Sequence, residues 1–314
     1  MTGELIRDGA ITVELSHPDK VLFPAAGAAP GGAAQGAVTK GDLVEYYLAV
    51  AGRMLPLVAQ RPVTMIRYPD GITAHPILQK NAPDYFPDWI TRAEVPKQGG
   101  SVHHVIIDRP ATLAYLANQA CVEVHVFGSR VGALDHPDQL IFDLDPPGDD
   151  QFAGVRRAAR LLRELLESDL GLTAYVKTTG GKGLHVHVPL DAAADFDAVR
   201  ELAKQAGEVL AARAPDLVST EQRKDKRRGL IYADPMRNAY GQHAAAPYSV
   251  RGRPGAPAAT PLDWAELDDE TLSPHQFTVA TVPGRLADGD PWAGMPRRRY
   301  SARRAAERLS KLAS

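Results

Sequence analysis

Four short stretches of this chain alternate with a period of two, and each sorts its ionisable or polar residues to one side and its aliphatic residues to the other. They are Cys121 to Phe127, carrying Glu123 and His125; Leu140 to Asp145, carrying Asp143 and Asp145; Gly183 to Pro189, carrying His185 and His187; and Leu230 to Asp234, carrying Tyr232 and Asp234. Successive side chains of a strand point to opposite faces, so the pattern predicts a sheet with one aliphatic face and one face of acids and imidazoles. Helical periodicity marks other stretches. A helix is expected from Thr39, where Thr39-Lys40-Gly41-Asp42 has capping-box spacing and Leu43, Tyr46, Tyr47, Val50 and Met54 recur on one face. Further helices are expected over Arg109 to Gln119, Ala153 to Asp169 with Gly171 as stop signal, and Asp195 to Arg213. Helices mixed with short strands, without strict strand-helix-strand repeats, predict an α+β fold rather than a doubly wound parallel sheet.

The chain has 314 residues, 44% of them apolar, enough for one large core or two smaller ones. A single cysteine, Cys121, excludes a disulfide framework and fits a reducing compartment. No apolar run approaches the roughly 20 residues that span a bilayer, so no membrane partner and a cytoplasmic location are expected. The net charge is -2, so any nucleic-acid binding must come from local patches. Two are visible: the run Arg223 to Arg228, and the tail from Arg297-Arg298-Arg299 through Arg303, Arg304, Arg308 and Lys311. Each can equally be a solvated face. Residues 25–38 are almost entirely Ala, Gly and Pro and read as a flexible surface loop.

Asp143-Leu144-Asp145-Pro146 is the sharpest chemical element, because strand alternation directs both carboxylates to one side with Cα atoms about 6.6 Å apart. Carboxylates so placed can share magnesium or manganese, which bind through a few oxygens plus substrate phosphates. Asp-x-Asp also occurs in sugar transferases and in surface turns. In Thr178-Thr179-Gly180-Gly181-Lys182-Gly183-Leu184-His185, glycines allow close backbone approach to a phosphate, Thr179 can donate a hydrogen bond and Lys182 adds positive charge. A tight glycine hairpin is the alternative. Asp234 ends a further strand and can supply a third carboxylate, and Arg237 and Arg251 can either offset a triphosphate or form ordinary surface ion pairs.

Taken together, these residues resemble the polymerase domain of bacterial ligase D, a branch of the archaeo-eukaryotic primase superfamily. The resemblance runs from about Ser16 to Trp292. It includes His17-Pro18-Asp19-Lys20, Thr39-Lys40-Gly41-Asp42, Arg67-Tyr68-Pro69-Asp70-Gly71, Gln79-Lys80-Asn81, Glu123-Val124-His125, the Asp143 and Gly-Gly-Lys-Gly motifs, Arg237-Asn238 and Pro247-Tyr248-Ser249-Val250-Arg251.

The resemblance implies a primase-type catalytic core, mainly antiparallel sheet flanked by helices. It implies that Asp143, Asp145 and Asp234 are catalytic and hold two Mn²⁺ or Mg²⁺ ions. His125, Thr179, Lys182, Gly183, His185, Arg237 and Arg251 would surround the incoming nucleoside triphosphate. Lys20 and Lys40 would receive the 5′-phosphate at the far side of a gap, and Lys80 and Arg227 would contact DNA. Capping by Thr39 suggests free helix amides beside those two lysines.

The implied activity is that of a template-dependent nucleotidyltransferase, a polymerase or primase that fills gaps or extends ends in break repair and favours ribonucleotides. Its partners would be gapped or broken duplex DNA, with a separate DNA ligase and an end-binding protein, in a bacterial nucleoid. A catalytically weak end-bridging module, a primase starting chains de novo and a metal phosphohydrolase are the rivals. One primase-polymerase domain is expected over 1–296, with modules at about 1–120 and 121–296 and a basic tail at 297–314. The chain reads as either a stand-alone member or a domain of a longer protein. Ile77-Leu78 stands where the family commonly has two phenylalanines, which removes an aromatic stacking surface.

Overall fold

A computed structural model describes residues 5–25 and 36–312, so most of the expected Ala/Gly/Pro loop at 25–38 lies outside the described residues. The chain forms two compact units, and neither is continuous in sequence. The first gathers Met1–Phe127, Ala245–Thr260 and His275–Asp290; the second gathers Gly128–Ala244, Pro261–Pro274 and Pro291–Ser314. Each unit gathers stretches from several parts of the chain. Local periodicity cannot announce that a chain crosses back.

The first unit is built on the strand Cys121–Phe127, which pairs antiparallel with Pro62–Arg67. The far edge of Pro62–Arg67 meets Gly100–Ile106 at one end and Ile77–Gln79 at the other, and Arg92–Lys97 closes the sheet against Gly100–Ile106. The helices Lys40–Val58 and Pro110–Asn118 pack together in this unit. Leu43, Val50 and Met54 are fully buried, and Tyr47 donates its hydroxyl to the Val122 carbonyl at 2.7 Å. The expected capping box is present: Thr39 Oγ1 accepts from the Asp42 amide at 3.2 Å, and Asp42 accepts from the Thr39 amide at 2.7 Å.

The second unit carries a six-stranded sheet in the order Val218–Ser219, Ile231–Asp234, Gln139–Asp145, Leu184–Pro189, Tyr175–Thr178, Pro261–Leu262. All neighbours are antiparallel except the first pair. The helix Phe152–Glu164, continued by a wider turn through Asp169, and the helix Phe196–Arg213 flank it. They lie on the aliphatic face. A Cβ on Gly154 would meet the Ile231 side chain at 3.1 Å, and one on Gly207 would meet the Ala233 Cβ at 3.8 Å. Burying Leu140, Leu144, Val186 and Val188, each fully enclosed, contributes about 1.5–3 kcal/mol per side chain.

The α+β arrangement and the mainly antiparallel strands are as expected. The single shared sheet is not. Three of the four alternating stretches lie side by side in the second unit, whereas Cys121–Phe127 belongs to the sheet of the first. Alternation gives a strand its two faces but does not choose its neighbours.

Candidate active site

In the second unit, register brings the acids together. Asp143 is directly opposite His185 on one neighbouring strand and Asp234 on the other, and Asp145 is opposite Tyr232. Asp143 and Asp234 therefore share a face, with directly opposed Cβ atoms about 4.5–5.5 Å apart. Phe142 and Leu144 turn the other way into the core.

Where the pairing of Ile231–Asp234 stops, the side chain of Asn238 continues the ladder. Its Oδ1 accepts from the Ile141 amide at 2.8 Å, and its Nδ2 donates to the Ile141 carbonyl at 2.7 Å. Asn238 thus occupies backbone groups that the strand would otherwise leave unpaired at a buried position. It also fixes the short turn that delivers Arg237.

Asp143 is 2% exposed. Arg237 donates through Nε to its Oδ2 at 2.8 Å, and His185 Nε2 lies 3.3 Å from its Oδ1. Burial alone would raise this carboxyl, but His185 and Arg237 outweigh it and hold the group well below the usual carboxylate range. His185 is pushed down to about 4 by burial and then by Lys177, so the imidazole is neutral at physiological pH and its Nδ1 is buried without a hydrogen-bond partner. Asp145 behaves oppositely. Burial first, and then the charges of Asp143 and Asp234, push it up to about 6. Asp234 is raised for the same leading reason, although it accepts from the Met236 amide at 2.8 Å. Arg237 and, farther out, Arg227 offset part of this charge. Arg227 stacks over the Tyr232 ring at 3.9 Å and donates to the carbonyls of Glu221 and Gln222.

Three carboxylates so crowded offer hard oxygen donors with too little positive charge around them, a donor set that fits magnesium or manganese. Among the described residues, however, no three acid, histidine or cysteine side chains are already gathered as a cage. Arg237 holds one oxygen of Asp143, so an ion binding there would have to share that carboxylate with the guanidinium.

The Gly-Gly-Lys-Gly segment is the hairpin between Tyr175–Thr178 and Leu184–Pro189. Thr179 Oγ1 accepts from the amides of Gly181 and Gly183 at 3.1 and 3.3 Å, so these two amides are used inside the loop. Gly183 packs against the Asp143 strand so closely that a Cβ would fall 2.1 Å from the Leu144 carbonyl oxygen. Its role here is this close approach. Lys182 sits half-buried at the tip.

His125 and Arg251 lie in the first unit, where both converge on Glu123. Glu123 Oε2 accepts from Arg251 Nε at 2.8 Å and lies 3.0 Å from His125 Nε2; Oε1 accepts from the Gly252 amide at 3.0 Å and the Tyr68 hydroxyl at 3.2 Å. Burial works against ionisation, but His125, Arg251 and the Gly252 amide carry Glu123 down to about 2. Sequence reasoning placed Glu123 on the polar face without seeing it as the hub. It also missed Lys177, which is fully buried opposite His185. The alternation of Tyr175-Val176-Lys177 was the available signal.

Lys20 and Lys40 are brought together, since the Lys40 amide donates to the Lys20 carbonyl at 2.8 Å. The free helix amides expected beside them are absent: Gly41 donates to the Pro18 carbonyl and Asp42 to Thr39 Oγ1. The chain folding back over the helix start supplies acceptors that an anion would otherwise meet. Lys40 is 6% exposed, donates to Ser16 Oγ at 3.0 Å, and is lowered by burial and by Lys20. Lys20 reaches Asp70 at 3.8 Å across an open surface. Lys80 is exposed beside Ile77–Gln79, where Ile77 and Leu78 are also exposed.

A mainly antiparallel core with this acid face is a primase-polymerase architecture, and comparison with known proteins agrees. The model of the LigD primase-polymerase domain matches residues 39–292, and the chain belongs to that family. It is 37% identical over 287 residues to the multifunctional non-homologous end joining protein LigD of Mycobacterium bovis, covering 88% of this chain and 36% of that protein. It is 34% identical over 249 residues to the bifunctional non-homologous end joining protein LigD of Bacillus subtilis, covering 79% of this chain and 40% of that protein. The chain thus spans little more than a third of these relatives. The solved polymerase domain of Mycobacterium tuberculosis ligase D in complex with DNA superposes with a TM-score of 0.82 at 35% identity, covering 91% of this chain and 98% of that one.

Proposed function

We propose that this chain is a template-dependent nucleotidyltransferase that extends DNA 3′ ends at gaps or breaks, using nucleoside triphosphates and preferring ribonucleotides. The observation that carries the reading is the raised Asp145 and Asp234 pair beside ionised Asp143, a patch whose excess negative charge calls for cations in a family named for its primase-polymerase domain. The solved relative's complex with DNA supports DNA as the partner.

Two Mg²⁺ or Mn²⁺ ions held by Asp143, Asp145 and Asp234 would lower the pKa of the primer hydroxyl and offset charge on the phosphates. The chain's own residues do the rest. Arg237 gives Asp143 a fixed counter-charge, which keeps that carboxylate ionised and aimed. Neutral His185 offers a buried imidazole at the other oxygen of that carboxylate, suited to binding and orientation and not to proton removal. Lys182 at the hairpin tip would bind the triphosphate. Lys20 and Lys40 would receive a downstream 5′-phosphate through their ammonium groups alone, because the adjacent helix amides are already bonded.

A separate ligase and an end-binding protein would act on the same DNA. Primer extension on a gapped duplex, with manganese and with ribonucleotide and deoxynucleotide pools run side by side, tests the proposal. Faster ribonucleotide incorporation is expected. No extension with either pool would overturn the reading, and a clear deoxynucleotide preference would overturn the sugar choice.

A further inference from the structure

The basic C-terminal stretch, one of two charged runs conspicuous in the sequence, does not hang free. The buried Trp292 donates to the Val176 carbonyl at 3.0 Å, and Tyr300 is zipped to the end of the His185 strand through Tyr300 N to Pro189 O at 3.1 Å and Asp191 N to Tyr300 O at 2.9 Å. The helix Ala302–Ser310 then buries Ala302, Ala305 and Leu309. Arg308 Nη1 donates to the Leu170 carbonyl at 2.6 Å, over Gly171, where a Cβ would fall 2.1 Å from that same nitrogen.

This frame borders an open pocket of about 420 Å³ lined by Arg299, Arg303, Arg304 and Arg308, with Asp191 as the one acid among its lining residues. Several arginines elsewhere in this unit are matched with carboxylates, Arg130 with Asp138, Arg160 with Asp268, Arg163 with Glu167, Arg200 with Asp197 and Arg213 with Asp169, while Arg156 and Arg227 stand singly on main-chain carbonyls. Here Arg299 and Arg308 donate to main-chain carbonyls, which satisfies their hydrogen bonds and leaves their charge. Arg304 has no carboxylate within ion-pair distance among the described residues. Only Arg303 has one, Glu307 at 3.6 Å, and that pair is fully at the surface. Asp191 already accepts from the Ala193 amide. Guanidinium groups crowded without matching acids, in a chain of net charge -2, signal an external polyanion.

We propose that this arginine cavity binds consecutive phosphates of the DNA on which the polymerase acts. Planar guanidinium forks match phosphate oxygens. Tyr300, the ring among the lining residues, has its hydroxyl committed to Thr173 at 2.6 Å and to Arg298, so the site is built for backbone and not for base reading. Leu190 is five residues along the strand from His185, about 16 Å at the usual rise. That separation is about five nucleotides of duplex at 3.4 Å each, beyond a single bound nucleotide and within reach of a duplex. The proposal rests on the polymerase reading only for the identity of the polyanion.

The test compares wild type with Arg299→Gln/Arg303→Gln/Arg304→Gln, leaving Arg308 to hold the Leu170 turn, and with a control of equal charge loss, Arg157→Gln/Arg200→Gln/Lys204→Gln. Affinity for a 24-base-pair gapped duplex and for inorganic tripolyphosphate is read by titration at several salt concentrations, with a melting curve for each protein. The cavity variant should bind the duplex about tenfold or more weakly at low salt, with a log-log salt slope shallower by about two to three, roughly one per lost phosphate contact. Its extension rate at saturating DNA should equal that of wild type. Unchanged slope, or a control that loses as much, overturns the proposal. So does a loss seen with tripolyphosphate and not with DNA. If the triple variant melts early, Arg304→Glu alone carries the same comparison. Should wild type extend no primer while the slope still falls, the polymerase reading fails and the cavity stands.

Discussion

Glu123 and Asp145 are both half- to fully buried acids on strands, yet one is held down near 2 and the other pushed up to about 6. Around Glu123 each oxygen meets two donors, from Arg251, His125, Tyr68 and the Gly252 amide. Around Asp145 the nearest acids are Asp143 and Asp234, and the one close guanidinium, Arg237, is bonded to Asp143. The first cluster is complete within its own unit and stabilises it. The second is short of positive charge and is a liability until something cationic arrives. A polar network fully satisfied by protein is a structural element; one left with uncompensated charge marks a place where the protein meets its substrate.

The contrast breaks first at the acids. Asp143→Ala, Asp234→Ala and Asp145→Asn should each lower extension on a gapped duplex by about 10²–10³-fold or more, the scale seen when one preorganised electrostatic element is removed. Yet Asp145→Asn should raise the stability of the metal-free protein, by about 1–3 kcal/mol, because a raised carboxyl costs folding energy wherever it is ionised. Melting in chelator against melting with manganese reads both effects. A wild-type extension rate, or a metal-free Asp145→Asn protein that melts earlier than wild type, removes the assignment.

Glu123→Gln should do the reverse, costing about 2–4 kcal/mol by leaving buried donors and the Arg251 charge unmatched. The two clusters also predict opposite pH limbs. Asp145 titrates higher folded than unfolded, so its penalty is present above about 6 and relieved as pH falls toward its ordinary range near 3.8. Glu123 titrates lower folded, so its stabilisation is present above 4.5 and lost as pH falls toward about 2. Metal-free stability should therefore rise from pH 7 to about 5 and fall below about 4. Denaturant titration across that range checks it, and Asp145→Asn should flatten the rising limb, leaving only the part that the raised Asp234 contributes, without moving the falling one.

A smaller effect separates binding from architecture. Lys182→Ala should weaken apparent nucleotide affinity by about 1.5–3 kcal/mol in single-turnover extension, as when a charge-assisted hydrogen bond is lost. It should leave melting unchanged, whereas Arg251→Ala, which strips Glu123 of a donor, should lower the melting temperature. Equal behaviour of the two would erase the distinction between a tip residue and a network residue.

The smallest effect asks which kind of cluster Lys20 and Lys40 form. If they receive a 5′-phosphate, Lys20→Ala/Lys40→Ala should match the loss caused by dephosphorylating the downstream strand, about 1 kcal/mol at low salt and fading as salt rises. Equal wild-type affinity for both duplexes would place the pair with Glu123, as structure alone.

Read alone, the sequence determined a good deal. Period-two alternation located the Asp143, His185 and Asp234 strands to within a residue of their observed ends, and capping chemistry located the helix after Thr39. These signals are local, set by backbone geometry and by side chains within a turn of one another. What sequence could not fix was non-local. Cys121–Phe127 alternates like the other three strands but pairs in a different sheet, because partner choice depends on residues far along the chain. That Glu123 gathers Arg251 from 128 residues away, that Asn238 finishes the edge of Gln139–Asp145, and that the chain closes over the amides beside Lys40 are all decided by tertiary approach. The same approach leaves Asp145 crowded by like charge, since a pKa is set by the whole surrounding volume and not by neighbours in sequence.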